Sequence, residues 1–148
     1  MNFERLIPVL QVAIGPVILI SGVGLLLLTM TNRFGRVIDR SRELVELVRA
    51  GNGERQRSEA QLKILWDRAR LLRTAIYLAG ASALLAATMV VALFVGALQS
   101  LEVATFVGAL FVGCLATLCG SLVFFLRDLQ RSLHALALEL DINNTPRA

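Results

Sequence analysis

The chain has 148 residues, 56% of them apolar, with a mean hydropathy of +0.69 and a formal net charge of +4. A soluble domain is nearer half apolar and disperses those residues, whereas here they concentrate in three uncharged blocks at 6–32, 74–98 and 103–126. That excludes an ordinary globular domain, and because the basic residues flank the blocks, it makes anionic lipid headgroups the expected partner rather than nucleic acid.

Each block exceeds the ~20 residues that cross hydrocarbon as a helix. Block one is too long for the h-region of a cleaved signal peptide, which runs ~7–15 residues, and no small-x-small site ends it. It therefore reads as a retained span. Pro8 falls in its first turn, where a missing N–H costs nothing. Pro16 lies deeper and predicts a kink. Gly15, Gly22 and Thr29 recur every seven residues, a small-residue stripe of the kind that lets two membrane helices approach closely.

After Asn32 the chain turns charged without a strong breaker. Phe34, Val37, Ile38, Leu44, Val45 and Val48 keep to one helical face. The helix is expected to stop at Gly51-Asn52-Gly53, which is turn chemistry. A second helix then starts near Glu54, with Leu62, Leu65, Trp66, Ala69, Leu72 and Ile76 on one face, and enters block two directly. Residues 33–73 are thus predicted to form a helical hairpin. With the turn centred near Asn52, reciprocal pairs are expected across it, Asp39 with Arg68 and Asp67 with Arg36 or Arg40.

Blocks two and three are joined by Gln99-Ser-Leu-Glu102 alone and must form an antiparallel pair. Ala79, Ala83 and Ala87 on one, and Ala109, Gly113, Ala116 and Gly120 on the other, are the expected contact faces. Past block three, Leu129, Leu133, Leu136 and Leu140 follow a heptad-like spacing. Residues 127–141 are expected as a third helix leaving the membrane to pack on the hairpin, followed by a tail at 142–148.

Residues 33–73 hold 11 Lys/Arg against 6 Asp/Glu, while the 99–102 connection has no basic residue. Basic loops stay cytoplasmic, which places the hairpin and the C-terminus inside and the N-terminus outside. Arg33, Arg36, Arg73 and Arg127 then fall at the inner interface, where each basic residue beside an anionic leaflet contributes ~1 kcal/mol.

Two stretches, Pro16-Val-Ile-Leu-Ile-Ser21 through Leu25-Leu-Leu-Leu28, Asn32-Arg33 and Ile38-Asp39-Arg40-Ser-Arg42, and Phe125-Leu-Arg-Asp128, resemble a family of small three-span bacterial inner-membrane proteins described as a domain of unknown function. The resemblance covers nearly the whole chain. It implies topology and a bacterial origin, and it carries no catalytic residue across.

No enzyme constellation emerges from the residues. His134 is the only histidine, and Ser21 has no base on its helix. Cys114 and Cys119 stand about 140° apart in azimuth and cannot bridge. No catalytic residue, metal or cofactor is expected. The spans hold no Asp, Glu, Lys or Arg, whereas coupled transporters place ionisable groups at membrane depth.

The fold expected is an all-α integral membrane protein of one domain, 1–148, its three spans extending into a cytoplasmic three-helix bundle. The function expected is non-enzymatic assembly or scaffolding, through a homo-oligomer or a partner membrane protein. An oligomeric ion or small-solute channel, lined by Gln11, Ser21, Thr29 and Thr31, is the alternative, and a membrane enzyme comes third.

Overall fold

The computed structural model describes residues 3–49, 55–99 and 103–144, and these form three α-helices with no strand among them. They are α1 (Phe3–Arg49), α2 (Arg55–Gln99) and α3 (Ala104–Asn144). Each contains a stretch long and apolar enough to cross a membrane, within Ile7–Glu46, Gln61–Gln99 and Ala104–Ser132. Three such helices are the pattern of a multi-pass membrane protein. The expected turn at 51–53, the return at 100–102 and the tail beyond 144 lie outside the described residues, as do the side chains of Leu133, His134, Leu136 and Leu140.

The helices run on where the sequence turns from apolar to charged, because nothing there stops them. α1 passes through Pro8 and Pro16 unbroken. Gly35 is tolerated in it, at a cost of up to ~1 kcal/mol against Ala.

Burial follows a seven-residue repeat. On α1 the buried positions include Pro16, Val23, Met30, Val37 and Leu44. On α2 they include Leu72, Ala75, Ala79, Ser82, Ala86 and Met89, alternating steps of three and four. On α3 they are Cys114, Ser121 and Asp128. This is the spacing of a coiled-coil seam, 3.5 residues per turn, which keeps one stripe facing its neighbours over many turns.

The chain divides into two compact units, Met1–Thr29 with Ile76–Ser121, and Met30–Ala75 with Leu122–Ala148. In the first unit α2 and α3 are antiparallel. Leu78 lies 3.4 Å from the Cβ position of Gly120, and Leu85 lies 3.7 Å from that of Gly113. Between these contacts Ser82 Oγ donates to the Cys114 carbonyl at 3.0 Å, and Cys114 Sγ donates to the Ser82 carbonyl at 3.3 Å. Two small side chains thus tie the backbones to each other in both directions. Where α2 ends and α3 begins, a Cβ at Gly96 would overlap the Val103 side chain. Large apolar residues face outward from this unit, among them Ile18 (66% exposed), Leu25 (70%), Leu84 (69%) and Val112 (66%). Water is a poor solvent for such a surface, and a bilayer is the natural one.

The expected small-residue ladders divide between faces. Ala79 is buried, Ala83 half-buried and Ala87 exposed, and Ser82 and Ala86 complete the buried line instead. The reason is geometric. Steps of four drift about 40° each around a helix, whereas alternating three and four holds one azimuth. On α3, Gly113 and Gly120 meet α2 as described, while Ala109 and Ala116 are exposed. On α1, Gly15 and Gly22 are exposed, and a Cβ at either would meet nothing within 4 Å.

Candidate functional site: a buried carboxylate held by two arginines

Among the described residues the second unit contains one fully buried charge, the carboxylate of Asp128 on α3. Burying a carboxylate is costly unless it is paired and hydrogen-bonded. Two arginines from the other two helices supply the pairing. Arg68 on α2 donates from Nε to Oδ1 at 3.3 Å. Arg33 on α1 brings Nη2 to 3.4 Å from Oδ2. That second contact is a charge contact without hydrogen-bond geometry, and among the described residues Oδ2 accepts no hydrogen bond.

Ser132 completes the arrangement. It stands one turn beyond Asp128, on the same face of α3. Its hydroxyl donates to the Asp128 backbone carbonyl at 3.1 Å. Its oxygen accepts from Arg33 Nη2 at 3.4 Å and, at short range, from Arg68 Nη2. One proton and two lone pairs are thereby all used. Three residues before Asp128, Phe125 places its ring centroid 5.6 Å from the Arg33 guanidinium carbon, within the range of a cation–π contact. The face Phe125–Asp128–Ser132 therefore receives both arginines. Their side chains are 24% and 21% exposed.

The expected hairpin pairs take a different form. Arg68 turns to Asp128 and Ser132 on α3, and Arg40 pairs with Glu43 on its own helix at 2.9 Å. Asp39 and Asp67 are exposed. A carboxylate already desolvated at Asp128 rewards a guanidinium more than one standing in water. The Arg40–Glu43 pair is itself largely exposed, 66% and 63%, and such pairs contribute little. Of the four arginines expected at an interface, Arg33 is half-buried in this clamp, and Arg36, Arg73 and Arg127 are exposed.

Asp128, Ser132 and Phe125 are absent from the candidates that periodicity and charge supplied. Phe125 and Asp128 do belong to a stretch that carries the family resemblance, and the burial repeat adds a second signal for Asp128. Asp128 lies on the same seven-residue repeat as Cys114 and Ser121, so extending that frame past the apolar block puts a carboxylate in the buried seam. As for chemistry, the arrangement holds a charge fixed between two guanidiniums and leaves neither carboxylate oxygen exposed. Among the described residues no group of three or more His, Cys, Asp and Glu is placed to hold a metal ion.

Neither a search of curated proteins nor one of solved structures finds a match to this chain. A family model does match, over residues 13–138, a span that includes Arg33, Arg68, Phe125, Asp128 and Ser132. The chain belongs to that family, the protein of unknown function family DUF2721.

Proposed function

We propose that this protein is a non-enzymatic assembly component of the bacterial inner membrane, with its N-terminus outside and its charged helical segments forming a cytoplasmic three-helix bundle. The observation that carries the assembly reading is the open small-residue face of α1. Gly15, Gly22 and Thr29 are exposed, and the Thr29 hydroxyl is turned back onto the Leu25 carbonyl at 3.1 Å. Among the described residues nothing covers this stripe, while the Pro16–Val23 side of the same helix is buried. Next to Gly15, a hollow of about 650 Å³, lined by residues such as Val12, Pro16, Leu19 and Phe111, offers room for apolar side chains. A membrane helix with a free small-residue stripe is suited to close packing with another helix.

The clamp supports a structural role for the charged segments. It joins all three helices through one buried carboxylate, and the three guanidinium bonds fix their register. The surplus of basic residues at 33–73 favours the cytoplasmic side for this unit.

Cysteine cross-linking in native membranes tests assembly. In a Cys119→Ser background, Gly22→Cys is expected to yield a covalent dimer on mild oxidation, and Val23→Cys, on the buried side, is expected to stay monomeric. Monomer alone from both variants overturns the assembly reading. Assemblies larger than a dimer by native mass spectrometry, together with ion flux in liposomes, move the conclusion to a channel.

A further inference from the structure

Arg33, Arg36, Val37, Arg40, Leu65 and Arg68 line a second concavity in the charged unit, of about 390 Å³. Four of these six residues are arginines, and none is acidic. Asp128 bonds two of the guanidiniums and Glu43 a third. Among the described residues, four cations against two carboxylates leave two positive charges in excess around one hollow. The other acidic residues next to these arginines in sequence, Asp39 and Asp67, are exposed and lie outside the lining.

The arginines differ in how they are held. Asp128 and Ser132 fix Arg33 and Arg68, so the back of the hollow is ordered before any ligand arrives. Each guanidinium carries five N–H donors, and the contacts to Asp128 and Ser132 use only some of them. Arg36 is exposed, and among the described residues Arg40 pairs with the exposed Glu43, a pair weak enough to exchange for a stronger acceptor. Val37 and Leu65 supply apolar wall. A planar fork of donors matches the oxygens of a phosphate group, and the volume falls within the ~300–1,000 Å³ of small-ligand sites. Arg33 is the first charge after the uncharged run 6–32, so the hollow opens where that run meets the charged segment.

We propose that this hollow is a phosphate-binding site that takes the phosphodiester of an anionic phospholipid headgroup, with Arg33 and Arg68 as the fixed back and Arg36 and Arg40 as the closing pair. This rests on the membrane placement above and is independent of self-association.

Native mass spectrometry of the full chain from detergent tests it, with phosphatidylglycerol, phosphatidylcholine or inorganic phosphate added singly. Wild type is expected to retain phosphatidylglycerol at least fivefold more than phosphatidylcholine. Arg36→Ala with Arg40→Ala is expected to abolish that preference. Arg42→Ala with Arg70→Ala removes the same charge from exposed positions outside the hollow and is expected to keep it. Retention of inorganic phosphate without phosphatidylglycerol, lost in the Arg36/Arg40 variant alone, upholds the phosphate site and overturns the lipid as its source. Equal loss in both double variants, or in neither, overturns the site itself. The Gly22→Cys cross-link, measured in the Arg36/Arg40 variant, shows separately whether assembly persists.

Discussion

Removing the Asp128 carboxylate leaves Arg33 and Arg68 facing one another with their shared anion gone. Breaking a buried ion pair from one side costs ~3–5 kcal/mol. The arginines here keep some contact with solvent, so Asp128→Ala is expected to destabilise by about 3 kcal/mol, the low end of that range. Asp128→Asn keeps one acceptor oxygen for Arg68 and is expected to lose less. The two arginines are unequal. Arg68 makes hydrogen bonds to both Asp128 and Ser132, whereas Arg33 reaches the carboxylate without hydrogen-bond geometry. Arg68→Ala is therefore expected to lower the thermal unfolding midpoint in detergent more than Arg33→Ala. Equal midpoints would show that Phe125 and Ser132 hold Arg33 more firmly than its distance to Oδ2 suggests. The clamp was only partly legible in the sequence. A hairpin about Asn52 relates two helices only, and the decisive acceptor, Asp128, comes from a third, far along the chain. The leucine spacing at 129, 133, 136 and 140 marks a different helical face from the position of Asp128.

At the scale of the helix, the spans were legible because a long charge-free run has few alternatives. Their contact faces were less so, since a ladder of alanines every four residues and a seam of 3.5 residues coincide for only a turn or two. Gly96 shows what the seam requires where α2 gives way to α3. Val103 accepts the first hydrogen bond of α3, from Val107 N–H at 2.9 Å, and valine is a poor residue for a helix start. Its side chain instead fills the space that Gly96 leaves. A β-branched side chain has little freedom to move aside, so Gly96→Ala is expected to cost about 1–3 kcal/mol by overpacking. Adding Val103→Ala should recover most of it in the same unfolding measurement. Ser82→Ala removes one direction of the exchange with Cys114. A loss near 0.6 kcal/mol is expected, the average for hydrogen bonds between membrane helices.

For the whole molecule, orientation is the property that the charge distribution argues most directly. Single cysteines placed at Arg42 and Arg70, in a Cys119→Ser background, are expected to resist a membrane-impermeant thiol reagent in intact cells and to react after lysis. Labelling in intact cells would reverse the topology proposed from the basic segment. The three long helices and their antiparallel return could be read from residue order alone. Which charged group would be buried could not, because that depends on how three separate stretches are brought side by side.

The clamp also has a consequence for biosynthesis. Its parts appear in the order Arg33, Arg68, Asp128, Ser132, so the anion is made long after both of its cations. A nascent chain lacking α3 displays two uncompensated guanidiniums, and an α3 that fails to dock leaves a carboxylate with no cation. Neither partial product can satisfy its charges alone. Docking of α3 is thereby coupled to the placement of α1 and α2, because one aspartate is the shared anion of both arginines.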